Sequence, residues 1–165
     1  MKRRAFLQSS TALTAAALAS AADTTTPTQV RRMRVALVPG SIGVTAASQR
    51  ELIGLARRHG FEAVEPRAPE LAAASPGEVQ ALRAVLADAK LVWAATSLSV
   101  DFRKDDATFR TGLAELPRLA AGLRRAGADR IGTWIPPCHD TLTYRPNFAL
   151  HASRLREVAV ILGDH

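Results

Sequence analysis

The sequence predicts an α/β chain, a parallel (βα)4 repeat that amounts to the first half of an eight-stranded (β/α)8 barrel. Three observations lead there. Four short apolar runs alternate with four helical patterns. The runs are almost continuously hydrophobic, as strands buried on both faces of a parallel sheet are. They begin at residues 33, 61, 91 and 130, so the starts are 28, 30 and 39 residues apart, and a (β/α)8 barrel of about 250 residues devotes about 31 to each unit. Regular βα alternation demands a parallel sheet with right-handed crossovers. A doubly wound open sheet that closes itself with four strands is the competing architecture.

The first unit opens with the strand MRVALV from Met33. Thr45 is the expected cap of the helix that follows, which carries Leu52, Leu55 and Ala56 on one face and ends near Gly60, suited to the left-handed cap position. The second strand is FEAVE from Phe61; SPGE at 75–78 then has the spacing of a capping box with proline in the first turn, and Val79, Leu82 and Leu86 follow at helical intervals. The third strand is LVWAAT from Leu91. Its helix shows Phe109, Leu113, Leu116, Ala120 and Leu123 in a stripe, interrupted by Pro117, where a kink or two abutting helices are expected. The fourth strand is RIGTWI from Arg130, and Phe148, Ala152, Leu155, Ala159 and Leu162 form the stripe of the last helix.

The amino terminus has a different character. Lys2, Arg3 and Arg4 form a positive head, an uncharged apolar run spans Ala12 to Ala19, and Ala19 and Ala21 give an A-x-A cleavage pattern. That layout is a secretory signal peptide over residues 1–21, too short in its apolar part to be a stable membrane anchor. Arg3 and Arg4 followed by Phe6 and Leu7 resemble the twin-arginine export signal, so the twin-arginine machinery is an expected partner and the periplasm the expected location. Residues 22–32, with DTTTPTQ, read as a polar linker. The domain proper is therefore 33–165.

Charge and cysteine content narrow the function classes. The chain has 22 Lys and Arg against 15 Asp and Glu; removing the leader takes three basic residues and leaves 19 against 15, a mild excess of +4. No basic stripe interleaved with aromatics is present, so nucleic acid is not an expected partner. The single cysteine, Cys138, excludes an internal disulfide and any multi-cysteine zinc site.

GFEAVEP after the first helix, RAGADRIGTWIPP leading into the fourth strand, and the twin-arginine leader resemble the sugar phosphate isomerase/epimerase family, whose members carry a xylose isomerase-like TIM barrel. The resemblance runs from about Met33 to the last residue. It implies a small sugar or sugar phosphate as ligand and, in the full-length family, a divalent metal held by Glu, Asp, His and Glu on later strands, two of the glutamates also moving the substrate proton. None of those ligands maps onto the four units read here. The expectation is a truncated form without metal, cofactor or catalytic residues, inactive alone. The alternatives are a non-catalytic carbohydrate- or partner-binding protein, which pairs with a second copy to hide its open strand edges, and an open-sheet enzyme that binds a phosphate compound.

Candidate binding residues sit where βα folds put them, at the carboxyl ends of strands. Gly40, Ser41 and Gly43 in PGSIG could cradle a phosphate with backbone N–H groups, or simply make a βα turn. Glu65 ends the second strand and can accept hydrogen bonds from sugar hydroxyls or pair with Arg67. Thr96, Ser97 and Ser99 offer hydroxyls with no base beside them. The loop after the fourth strand gathers Trp134, Cys138, His139, Asp140 and Tyr144. An indole stacks on the apolar face of a sugar while His and Asp bond its edge; the competing reading is plain loop packing. Three consecutive side chains at 138–140 rarely converge on one metal. No G-x-S-x-G elbow supports a serine nucleophile.

Overall fold

The computed structural model describes residues 33–165; the leader 1–21, with Arg3 and Arg4, and the linker 22–32 lie outside the described residues. β1 (Ala36–Leu37), β2 (Ala63–Val64) and β3 (Val92–Trp93) form a parallel sheet in that order, Ala36 opposite Ala63 and Ala63 opposite Val92. β4 (Thr96–Ser97) pairs in parallel with β5 (Ile131–Gly132). The run expected as one strand from Leu91 thus serves two ladders. The Val92 and Ala94 amides donate to the Glu62 and Val64 carbonyls on one side, and those of Thr96 and Leu98 to Arg130 and Gly132 on the other. Changing neighbours along one extended run staggers the row of strands, and a barrel wall requires such a stagger. The architecture is the parallel (βα)4 half-barrel.

The helices confirm some sequence signals and move others. α1 (Gln49–Arg58) is capped by Ser48, whose side chain accepts the Glu51 N–H, and not by Thr45. The reason lies upstream: a 3-10 turn, Pro39–Ile42, closed by left-handed Gly43 at φ +68°, uses up the chain before α1 can start. Gly60 does adopt the left-handed conformation, at φ +72°. A short helix, α2 (Ala68–Ala73), precedes α3 (Pro76–Asp88). In α3 the expected capping box is complete: Ser75 accepts the Glu78 N–H, and the Glu78 carboxylate accepts the Ser75 N–H at 2.8 Å. Val79, Leu82 and Leu86 are buried.

α4 (Asp106–Ala126) is one helix that runs through Pro117, not two. Proline removes one ladder hydrogen bond, a loss of about 3 kcal/mol in an isolated helix, and burial on both sides offsets it, at Leu116 and at Leu119, Ala120 and Leu123. The last helix, α5 (Tyr144–Gly163), is rotated from its expected face. Its buried residues are Asn147, His151, Arg154 and Val158, while Phe148 is 58% exposed. Polar groups turn inward because two loops need them, as described below.

Two apolar clusters stabilise the fold. One joins Leu37, Leu52, Ile53, Val64, Leu71, Leu86 and Trp93 to Leu119 and Leu123; the other joins Val100, Phe102, Phe109, Leu116 and Val158. The Trp93 indole donates to the Ala126 carbonyl at 2.9 Å, so burial leaves no indole donor unpaired. The second cluster lies under the loops that build the site.

Candidate functional site

Two loops leave the carboxyl ends of neighbouring strands, residues 98–105 after β4 and 133–143 after β5, and both rest on α5. Arg154, 7% exposed, donates to the Phe102 carbonyl at 3.1 Å and the Lys104 carbonyl at 2.6 Å, and its other amino group reaches Asp106 at 3.4 Å. Asn147 Nδ2 donates to the Pro136 carbonyl at 3.4 Å. One helix face thereby holds both loops, and charged donors to carbonyls are among the stronger hydrogen bonds. Between the loops opens a cleft of about 800 Å³ whose lining includes Asp101, Arg103, Trp134, His139, Asp140 and His151.

Within the cleft the parts are mutually positioned. Trp134 is 67% exposed, with the Arg103 guanidinium 4.9 Å from its ring centroid and 5.6 Å from that of Phe102. Arg103 Nε is held by Asp101 at 3.0 Å. Burial pushes the Asp101 carboxyl up, and the hydrogen bonds and charge of Arg103 outweigh it, leaving it below its ordinary value. The Thr141 and Leu142 amides both donate to His139 Nδ1 at 3.1 Å, so the proton of the neutral ring sits on Nε2. His151 is 2% exposed and meets the Phe102 ring edge-on at 5.2 Å. Burial first, then the charges of His139, Arg103 and Arg154, lower its pKa. An amphipathic platform, fixed donors and a neutral imidazole suit a polyhydroxylated ligand.

The expected site residues divide into groups. Trp134, His139 and Asp140 come together in the cleft, with exposed Cys138. Tyr144 lies on the outer face of α5, its ring 6.2 Å from that of Phe148. Glu65 does not pair with Arg67: its carboxylate accepts from the Ser97 N–H at 3.3 Å and the Ser97 hydroxyl at 3.4 Å. Arg67 turns instead to Glu70, at 3.5 Å, and to the Ala46 carbonyl, at 3.0 Å. The buried Gln49 side chain fixes that corner by donating to the Glu65 carbonyl at 3.2 Å and accepting the Arg67 N–H at 2.6 Å. At the first turn, Gly40, Ser41 and Gly43 are exposed, and the amides of Ser41, Gly43 and Val44 are already bonded to Val38 and Pro39 carbonyls. Few donors remain there for a phosphate.

Sequence reasoning missed Arg103, His151 and Arg154. Their signals were present: the charged run DFRKDD after the third strand, and polar residues at 147, 151 and 154, spaced as one helix face.

No family model matches the chain, and no curated protein matches it. Solved structures do. A xylose isomerase domain protein from Alicyclobacillus acidocaldarius is 28% identical, with a TM-score of 0.59 over 79% of this chain and 46% of that one. D-psicose 3-epimerase with D-tagatose, from Clostridium cellulolyticum H10, is 15% identical, with a TM-score of 0.59 over 80% and 49%. A D-psicose 3-epimerase in the presence of D-fructose gives 0.57 at 15% identity over the same shares. The chain spans about half the length of the solved structures it matches. Its class is thus an α/β half-barrel with a polar and aromatic cleft at the carboxyl ends of its strands. Its similarity is to the xylose isomerase-like barrels of sugar isomerases and epimerases.

Proposed function

We propose that this chain is a sugar-binding protein of the isomerase/epimerase type, which grips a small sugar or sugar phosphate in the cleft and does not turn it over alone. The observation that carries the reading is the cleft itself, where Trp134, His139 and Asp140 converge at the strand ends from which barrels of this kind work. The residues present do not fit the divalent metal that the family resemblance implies. Among the described residues, no three side chains of His, Cys, Asp or Glu converge on one position. The four units supply the grip; the metal-binding carboxylates of the family belong to later strands.

Indole fluorescence tests the grip. Trp93 is buried and hydrogen-bonded and serves as internal reference for exposed Trp134. Titration with D-fructose or D-tagatose is expected to saturate in the millimolar range, about −4 kcal/mol, and to vanish in Trp134→Ala. No response up to about 100 mM sugar refutes the reading. Assays with Mn, Mg, Co or Zn should show no isomerase turnover, and metal-dependent turnover that disappears in His139→Ala would move catalysis into this loop.

The proposal extends to location: residues 1–21 direct twin-arginine export to the periplasm and are removed, the mature chain starting near Ala22. Replacing Arg3 and Arg4 by lysine should retain the precursor in the cytoplasm, and export of that variant would rule the route out.

A further inference from the structure

Native proteins leave few buried polar atoms without a partner. Here all such side-chain atoms found among the described residues fall on one stretch of α5: Asn147 Oδ1 and both ring nitrogens of His151. That stretch is the floor of the cleft, flanked by the two side chains that hold its loops, Asn147 at Pro136 and Arg154 at Phe102 and Lys104. The other contacts of this helix face are satisfied, so the open valences are not a general slackness of packing. Two of the three belong to His151, which lines the cavity, and the third to Asn147 one turn before it.

Resting on the sugar-binding reading above, we propose that His151 is a ligand-binding residue whose two ring nitrogens take up hydroxyl groups of a sugar or polyol bound in the cleft. A neutral imidazole presents one donor and one acceptor. Hydroxyls both donate and accept, so two hydroxyls of a polyol satisfy both nitrogens. An anion binds through oxygens that chiefly accept, and is held best with a second proton on the ring. Burial and the cations around it, Arg103 from the loop after β4 and Arg154 from α5, oppose that proton. Of the carboxylates lining the cleft, Asp101 is bonded to Arg103 and Asp105 to Thr108. A metal is not favoured either, since among the described residues no third ligand converges.

The test is imidazole NMR of the full chain labelled at histidine, where His151→Phe identifies the His151 signals among the four histidines. D-fructose, xylitol and inorganic phosphate are the probes. The expected result is a saturable shift of the His151 nitrogens with D-fructose and xylitol, at the same midpoint as the Trp134 fluorescence change. His151→Phe, which keeps the ring volume, should weaken sugar binding about ten- to a hundredfold, the scale of two lost hydrogen bonds. If the indole responds while the His151 signals stay still, this inference fails and the sugar-binding reading stands. If neither responds, both fail. A shift with phosphate alone, stronger at pH ~6 than at pH ~8, overturns the hydroxyl assignment in favour of an anion.

Discussion

Arg154 and His151 sit one turn apart on the same face of α5 and answer burial in opposite ways. The Arg154 guanidinium is held by the Phe102 and Lys104 carbonyls and by Asp106, and its carbon lies 4.7 Å from the Phe109 ring centroid. His151 has no such partner and stays neutral, its pKa below the ordinary 6.5 through burial and then the charges of His139, Arg103 and Arg154. Below about pH 6.5 the unfolded chain therefore binds a proton that the folded chain refuses, so stability falls as pH drops through that window. Lys104, Asp101, Asp105 and Asp140 also line the cleft. The depressed carboxyls of Asp101 and Asp105 act only at lower pH, below their ordinary 3.8. Denaturant midpoints of wild type and His151→Phe between pH ~7.5 and ~5.5 should diverge, the variant losing less stability on acidification. Parallel slopes would show that the ring is protonated in the fold. The polar spacing of Asn147, His151 and Arg154 marked a helix face in the sequence, but not the loops that meet it, so the partners and the pKa shift were not legible. The strand-end positions of Glu65 and Trp134 were legible, though Glu65 turns to Ser97 and does not line the cleft.

At the scale of elements, the capping box of α3 held, while the cap of α1 and the buried face of α5 were decided by neighbouring segments. The capping box at Ser75 and Glu78 is settled within four residues, so spacing alone revealed it. The buried face of α5 depends on loops 98–105 and 133–143, which reach it from distant parts of the chain, and the apolar stripe at Phe148 pointed one residue away. The short α2 was invisible for the same reason, since α4 packs on it. Their approach is set by Gly122: a Cβ there would lie 2.6 Å from Ala72 Cα and 2.7 Å from its nitrogen. Because those atoms are backbone, they cannot rotate aside. Gly122→Ala is expected to destabilise by about 1–3 kcal/mol, overpacking outweighing the gain in helix propensity. Gly163→Ala, with open space around it, is the control that should cost little. Chemical denaturation of both variants checks the difference, and equal stability of the two would mean that α2 and α4 are less closely apposed.

Among the described residues the molecule presents a parallel row with two ends. β1 pairs only with β2 and β5 only with β4 among the described residues, so each outer strand keeps one edge of backbone N–H and C=O groups unpaired. Such edges template further pairing unless they are charged, bent or covered. Here the flanks are apolar: Val35 beside β1, and Trp134 and Ile135 after β5, are all exposed, as are Phe148 and Val160 on the free side of α5. The strands that close a full barrel would pair with these edges, and the chain spans about half of the barrels it matches. A second copy offers the same complement, β5 of one meeting β1 of the other twice over around a two-fold axis. Sedimentation of the chain without residues 1–21 at micromolar concentration should accordingly show dimers or larger species, and apolar dyes should bind whatever edge remains open. Ile135→Lys puts a charge beside the β5 edge and is expected to shift the population toward monomer, as edge lysines do in natural sheets. A compact monomer that binds no dye would mean that four strands suffice, and that the row is a finished open sheet.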